Sequence, residues 1–252
     1  YFVGSQNFDW RALTHIHETG VWVRGDELSQ NAIQGVFNHD WEMAATGKLL
    51  PPGNPPSFGA HLPPIEIVAS PASLNPTGVR PAIEALEELV RSAKPYSTLR
   101  LTVMALSPQD FSGGYWNRVD ELLRDAAVRK VKVQIMLADW DTAPPAIHHT
   151  KSLSLIPGVE VRIVSIPQAS EGFIKYSRVT HSKFMTVNDN ILWVGTSNWS
   201  KGYFEGSRNI EVILRQHPEQ VAQAIESFKK MWESPCSAIL DVNKKYVPPK
   251  KS

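Results

Sequence analysis

The segment Thr180-His181-Ser182-Lys183 places a histidine and a lysine two residues apart and leads directly into an apolar run, residues 184–187. A second apolar run, residues 191–195, follows and ends in the turn Gly195-Thr196-Ser197-Asn198. Two such runs joined by a short polar segment indicate a strand pair, here 178–187 and 191–195. Because alternate residues of a strand share a face, we expect the side chains of His181 and Lys183 to point the same way.

Strand and helix patterns alternate around this pair. The predicted strands are residues 65–69, 99–106, 131–138, 159–166 and 209–215, and the predicted helices are residues 80–94, 116–129 and 218–232. This alternation predicts an α/β fold in which helices cover both faces of a mixed β-sheet.

The first 64 residues are organised differently. We predict strands at 1–5 and 18–24 and a helix at 27–46, capped by Asp26, with an apolar side formed by Leu28, Ile33, Phe37 and Trp41. Six prolines between residues 51 and 64 then prevent regular structure. The sequence therefore predicts four parts: residues 1–47, a Pro-rich linker at 48–64, a larger unit at 65–240 and a tail at 241–252.

An internal repeat relates the first part to the third. Val3-Gly4-Ser5-Gln6-Asn7 matches Val194-Gly195-Thr196-Ser197-Asn198, and the same offset of 191 relates Phe37 to Phe228 and Trp41 to Trp232. Each copy also has a glutamate after the turn, Glu18 or Glu211, at slightly different intervals. Subtracting 191 places the counterpart of His181 about ten residues before Tyr1, so we expect a pseudo-two-fold fold with an incomplete first half.

The composition limits how phosphate can be recognised. With 26 basic and 25 acidic residues, the chain has no overall field of one sign, so any phosphate recognition must be local. The single cysteine, Cys236, excludes an internal disulfide, and no apolar run is long enough to span a membrane. His15 with His17, the pair at 148–149, and Asp139 with Asp141 lack partners at ligand spacing, so no metal or other cofactor is expected.

The motifs His181-Ser182-Lys183 and Gly195-Thr196-Ser197-Asn198 resemble those of the phospholipase D superfamily, whose mark is His-x-Lys-x4-Asp followed by Gly-Ser-x-Asn. Together with Gly4-Ser5-Gln6-Asn7-Phe8-Asp9-Trp10-Arg11 and Trp232-Glu233-Ser234-Pro235, they resemble the branch of the mammalian lysosomal phospholipase D-like 5′-exonucleases. The resemblance runs from residue 1 to about 240, which corresponds to the C-terminal portion of such proteins. One position departs from the pattern, because Asn188 stands where the family has its aspartate, with Asp189 next to it.

The resemblance implies a metal-independent phosphodiesterase that works through a phosphohistidine intermediate. Lys183 would hold a phosphate oxygen, Asn198 and Thr196 would donate hydrogen bonds to it, and Glu211 would accept the second N–H of His181. By the repeat, Ser5, Asn7 and Glu18 would serve the second histidine in the same way. In family members with two motifs the N-terminal histidine commonly attacks, which would make His181 the general acid.

Several other residues are candidates for the cleft or the core. Tyr176 and Arg178 precede the motif and Trp140 follows the predicted strand 131–138, so all three are candidate substrate contacts. Trp10 and Trp199 follow the two turns and are expected to pack in the core. The four lysines of the tail are expected to form a solvated terminus.

Two classes of function follow. In the first, the chain is part of an enzyme that acts on phospholipid head groups or on the 5′ ends of single-stranded nucleic acid. Its second histidine would come from an upstream fragment of the same protein or, alternatively, from a homodimer. In the second class, the chain is a catalytically incomplete phosphate-binding lobe or a partner subunit. The resemblance favours a secreted or lumenal location.

Overall fold

The computed structural model describes residues 1–58, 61–110 and 112–252, and residues 59 and 60 of the predicted linker lie outside this range. A nine-stranded mixed sheet dominates the described residues. In spatial order, its strands are β13 (Ser237–Ile239), β8 (Val159–Val164), β7 (Lys132–Ala138), β5 (Thr98–Val103), β9 (Phe184–Val187), β10 (Ile191–Gly195), β12 (Asn209–Arg215), β3 (Ile65–Ser70) and β4 (Arg80–Pro81). The α/β class with a mixed sheet is confirmed.

The strand directions divide this sheet into two types of pairing. Strands β5, β7 and β8 are parallel, as expected where helices cross between them. From β9 through β12 to β3 the neighbours are antiparallel. Two smaller pairs lie outside this sheet: β1 (Phe2–Gly4) with β2 (Gly20–Trp22), and β6 (Leu106–Ser107) with β11 (Trp199–Ser200).

Six α-helices connect these strands in the described residues: α1 (Trp10–Thr14), α2 (Glu27–Thr46), α3 (Ala82–Arg91), α4 (Arg118–Val128), α5 (Ala146–Ser154) and α6 (Pro218–Trp232). Helix α2 begins after Asp26, whose carboxylate accepts a hydrogen bond from the Ser29 N–H at 2.9 Å. Helix α6 begins with Pro218, which has no N–H to leave unpaired. Both helices have the predicted bounds, whereas α1 and α5 were not predicted.

Helices cover the sheet on both faces. On one face, α3 and α4 bury Leu86, Leu89, Val119 and Leu123 in a cluster with β5, β7 and Trp193. On the other face, Phe228 and Trp232 of α6 join Val3, Phe184, Val194 and Val212. Since Val3 lies in this second core, residues 1–4 pack directly on the larger unit. None of the helices in the described ranges combines the length and hydrophobicity needed to span a bilayer.

Helix α2 packs with a different side from the one predicted. Ser29 and Val36 are its buried residues, and Val36 shares a small cluster with Ala69 of β3 and with Val79. The expected core residues Leu28, Phe37 and Trp41 are exposed by 55%, 58% and 67%. The prediction was therefore wrong for these three residues, whereas Ile33, the fourth member of the predicted apolar side, packs partly buried against the second core. The division into four parts and the pseudo-two-fold relation stay predictions.

Candidate active site

The His-x-Lys motif lies immediately before strand β9. Phe184 pairs with Val194, and the Gly195 N–H donates to the Lys183 carbonyl at 3.1 Å. The turn 195–198 therefore lies next to Lys183, as the sequence predicted. The predicted strand 178–187 is shorter than expected, however, so His181 and Lys183 stand before its regular part.

Residues 178–181 pair instead with the first part of the chain. The Arg178 N–H donates to the His15 carbonyl at 3.0 Å, the His17 N–H to the Val179 carbonyl at 3.0 Å, and the His181 N–H to the His17 carbonyl at 2.8 Å. Hydroxyl groups extend this contact, since Thr19 Oγ1 donates to Ser182 Oγ at 2.9 Å. The backbone that carries His181 is thus fixed by residues 15–19.

The imidazole of His181 is held by the same part of the chain. Its Nδ1 lies 3.1 Å from both carboxylate oxygens of Glu18 and 3.0 Å from the Ser5 carbonyl oxygen. The Ser5 hydroxyl donates to the Glu18 carboxylate, which is itself buried. A carboxylate at Nδ1 favours the tautomer with the proton on that nitrogen and leaves Nε2 to act in chemistry. Glu18, and not Glu211 as predicted, orients His181.

Glu211 has a different set of partners. Its carboxylate accepts hydrogen bonds from Ser197 Oγ at 2.5 Å and from Trp193 Nε1 at 3.0 Å, and complete burial raises its pKa to about 7. A Cβ atom at Gly195 would lie 2.5 Å from Glu211 Cγ, so only glycine fits at this position. Glu211 therefore supports the turn 195–198 and does not contact the imidazole.

Lys183 is the most deeply buried cationic side chain of the candidate site. It is 1% exposed, and its Nζ donates to the His181 carbonyl at 2.6 Å. Burial lowers its pKa to about 7, and the nearby Glu18 carboxylate opposes this shift. Burial therefore disfavours the charged ammonium where no anion is bound.

The residues of the two turns differ in their surroundings. Asn198 is buried, and its Oδ1 accepts a hydrogen bond from the Ala105 N–H at 3.2 Å, so its amide N–H groups are the ones that can face a ligand. Thr196 Oγ1 donates to Asn209 Oδ1 at 2.8 Å. Asn7 lies exposed on the surface. The structure thus joins Ser5 and Glu18 to His181, whereas Asn7 has no such contact in the described residues.

The departure from the aspartate of the motif is accommodated at the far end of β9. Asn188 Oδ1 accepts from the Lys94 N–H at 2.9 Å, and its Nδ2 donates to the Ser92 carbonyl at 3.0 Å. Asp189 forms an ion pair with Arg100 at 2.5 Å. These residues connect the hairpin to neighbouring elements and lie five and six residues beyond Lys183.

The remaining candidates lie together near the start of the motif. Trp140 is half-buried in a single helical turn, Tyr176 is 55% exposed, and the Arg178 Nε donates to the Pro167 carbonyl at 2.6 Å. The tail reaches the same region, because the Tyr176 N–H donates to the Lys251 carbonyl at 2.8 Å. The four lysines of the tail are exposed as expected, but the tail is also held at this one point against the larger unit, which was not predicted. Trp199 is completely buried as expected, whereas Trp10 is 53% exposed.

The mixed sheet, together with a His-x-Lys segment next to a Gly-Thr-Ser-Asn turn, defines a phospholipase D-like protein. The chain belongs to the phospholipase D-like family, because residues 86–232 match the family model described as "Cardiolipin synthase, PLD-like domain". The solved structure of NucT from Helicobacter pylori has the same fold, with a TM-score of 0.57 at 19% identity over 70% of this chain and 98% of that one.

Two curated relatives match almost the whole chain. A probable phospholipase D of Caenorhabditis elegans, F09G2.8, is 27% identical over 92% of this chain and 47% of its own length. The 5'-3' exonuclease PLD4 of Mus musculus is 29% identical over 95% of this chain and 54% of its own length. The chain therefore spans about half the length of the curated relatives that it matches.

Proposed function

We propose that this chain forms one lobe of a metal-independent phosphodiesterase, with His181 as one of two catalytic histidines. The observation that carries the proposal is the contact of His181 Nδ1 with Glu18, which favours one tautomer of the imidazole, next to Lys183. An imidazole fixed in this way can take or give a proton at Nε2, as a general acid or base requires.

The reaction would proceed in two displacements. In the first, a histidine nitrogen attacks phosphorus, the bond to the leaving oxygen breaks, and the other histidine protonates that oxygen. In the second, the latter histidine removes a proton from water, the water oxygen attacks phosphorus, and the phosphohistidine bond breaks. The family's usual order makes His181 the acid of the first step.

The charged and amide groups of the site would stabilise the transition state. Lys183 gains its full charge when a phosphate anion binds, because the anion offsets the cost of burying the ammonium. The Asn198 amide would donate to a second oxygen of the same phosphate. Donors that are already in place for a developing charge are each worth about 3 kcal/mol.

The second histidine would come from a segment upstream of residue 1. Residues 1–47 already occupy the side of the site that a second copy of this chain would need, with Ser5 and Glu18 against His181. This arrangement favours an upstream segment of the same protein over a homodimer. The substrate would be a phospholipid or the 5′ end of a single-stranded nucleic acid. The names of the two relatives, a probable phospholipase D and a 5'-3' exonuclease, support a phospholipid and a nucleic acid in turn.

The test is hydrolysis by the chain co-expressed with its upstream segment, using a 5′-hydroxyl oligonucleotide and phosphatidylcholine as alternative substrates. His181→Asn is expected to lower the turnover of whichever substrate is cleaved by about 10³-fold or more. His148→Asn is the matched control, because His148 lies exposed on α5. Persistent activity in His181→Asn would exclude the proposed role. No turnover with either substrate would leave the chain as a phosphate-binding lobe.

A further inference from the structure

Residues 17–19 lie beside residues 180–182, and a parallel bridge pairs residue 17 with residue 180. At the centre of this contact, the Glu18 carboxylate meets the His181 imidazole. The side chains on either side of this pair, at positions 17, 19, 180 and 182, contact one another. This agrees with the alternation of side chains along extended segments. The central pair is therefore flanked on both segments by a second set of contacts.

The hydroxyl groups before and after His181 are completely buried. Thr180 and Ser182 are each 0% exposed, and a buried hydroxyl needs a hydrogen-bond partner. The imidazole of His17 contacts both, since its Nδ1 lies 2.9 Å from Thr180 Oγ1 and 3.3 Å from Ser182 Oγ. Thr19 Oγ1 completes the set, 2.9 Å from Ser182 Oγ. We call these four side chains the polar clamp.

The hydrogen bonds of the polar clamp define the protonation of His17. Ser182 Oγ accepts from Thr19 and can donate its own proton to the His17 carbonyl at 3.1 Å. His17 Nδ1 is the acceptor that the described residues offer to the Thr180 hydroxyl, so the ring carries its proton on Nε2. Burial lowers the pKa of His17, and the neighbouring Glu18 carboxylate opposes this shift. Both observations indicate a neutral imidazole that acts as an acceptor.

The polar clamp specifies the register between the two segments. Each of its contacts joins a residue next to Glu18 to a residue next to His181. A slip of one residue would turn alternate side chains to the opposite side, and the carboxylate would then face away from the imidazole. Backbone hydrogen bonds can form in either register, because every residue except proline carries the same groups. The side-chain contacts therefore select the register in which Glu18 reaches His181.

We propose that His17 is a positioning residue for His181. Its neutral imidazole holds the two buried hydroxyls that flank the motif histidine and thereby brings that histidine to Glu18. This role requires an acceptor at the place of His17 Nδ1, whereas a role in packing alone would require only the volume of the ring. The inference rests on the proposed function for the reaction that His181 performs, and it adds a residue on which the orientation of that histidine depends.

Two substitutions separate the acceptor from the ring. His17→Phe keeps an aromatic ring without an acceptor, and His17→Asn keeps a side-chain oxygen that can replace Nδ1. Nitrogen-15 NMR of the histidine side chains reports which ring nitrogen of His181 carries the proton, and His181→Asn assigns its signals. We expect the proton on Nδ1 in the wild type and in His17→Asn, and a mixture of tautomers in His17→Phe. An unchanged His181 signal in His17→Phe would overturn the proposal.

Kinetics of the protein co-expressed with its upstream segment give a second readout. His17→Phe should lower kcat by about 10- to 100-fold with little change in KM, because the imidazole of His181 is misplaced. His17→Asn should retain most of the wild-type kcat. The matched control is His148→Asn on the exposed side of α5, which should change neither value. If His17→Asn lost as much activity as His17→Phe, the acceptor would not be what matters, and the proposal would be overturned.

Thr180→Val tests the same contact if His17→Phe does not fold, because it removes the hydroxyl and keeps the shape of the side chain. It should also give a mixture of His181 tautomers, and a single wild-type tautomer would contradict the proposal. The NMR measurement uses no substrate, so it is independent of the reaction. Activity that persists in His181→Asn would exclude the proposed function, whereas an unchanged tautomer in His17→Phe and Thr180→Val would exclude this inference alone.

Discussion

Helices α2 and α6 carry the same aromatic pair at the same spacing but bury it to different extents. Phe37 and Trp41 stack on each other with ring centroids 5.8 Å apart, and both are more than half exposed. In α6, Phe228 and Trp232 stack at 5.2 Å and are 1% and 7% exposed. Phe228 also meets Phe184 of β9 edge to face at 6.3 Å.

The two turns show the same contrast. Asn198 and Trp199 are buried beneath the segment that contains Ala105, whereas Asn7 and Trp10 are exposed. In α6, Phe184 of β9, the strand that directly follows the His-x-Lys motif, packs with this aromatic pair in one buried cluster. The difference teaches that the neighbouring strand, and not the helix sequence alone, determines burial in this repeated unit.

The largest expected difference concerns the two glutamates of the repeat. Glu18→Gln should lower kcat by about 10³-fold with little change in KM, because the imidazole loses the carboxylate that fixes its tautomer. Glu211→Gln should lower kcat by no more than about tenfold, since Glu211 acts only through the turn. Steady-state kinetics of the co-expressed protein measures both. If both variants lost the same amount of kcat, the idea that Glu18 alone orients His181 would be contradicted.

The aromatic pairs give the next largest difference. Phe228→Ala should lower the free energy of unfolding by about 3–5 kcal/mol, because it leaves a cavity between α6 and β9. Phe37→Ala should change it by less than about 1 kcal/mol in this chain, since the ring is exposed. Urea unfolding followed by fluorescence measures both values. If the upstream segment covers α2, its addition should increase the cost of Phe37→Ala, and an unchanged cost would argue against that partner.

The smallest expected effect is the pH dependence caused by Lys183. The folded lysine releases its proton near pH 7, whereas the unfolded one keeps it until about pH 10.5. Between these values the unfolded state binds more protons, so stability should rise with pH, by at most about 1.4 kcal/mol per unit. Lys183→Met should remove this rise, and Lys132→Met, which alters an exposed lysine, should retain it. Urea unfolding at pH 7 and pH 9 distinguishes them.

Local signals in the sequence predicted most of the elements and the location of the motif. The start of α2 followed from Asp26, whose capping chemistry acts within one turn. Helix α5 was missed because Pro144 and Pro145 indicate a break, although they directly precede its first residue. The exposure of Phe37 and Trp41 in α2 was missed because the spacing of apolar residues shows only that one side of a helix is apolar. It does not show whether another element packs against that side.

The contact between Glu18 and His181 could not be predicted from the sequence, for a different reason. The repeat suggested that each histidine contacts the glutamate of its own copy. In the structure, His181 instead contacts Glu18, which is 163 positions away in the sequence. No local pattern encodes such a pairing. The position of the tail was missed in the same way, because its contacts with Trp140 and Tyr176 join distant segments.

The ladder between residues 15–19 and residues 178–182 has a consequence for how such a protein can be divided in evolution. A gene split within the Pro-rich segment would give two products, one with the carboxylate and the other with the imidazole that it serves. The product with His181 would lack the carboxylate that fixes the tautomer of its imidazole. It would have to bind the other product to recover that contact. The contact between Glu18 and His181 therefore ties the first part of the chain to the larger unit at the level of a single side chain.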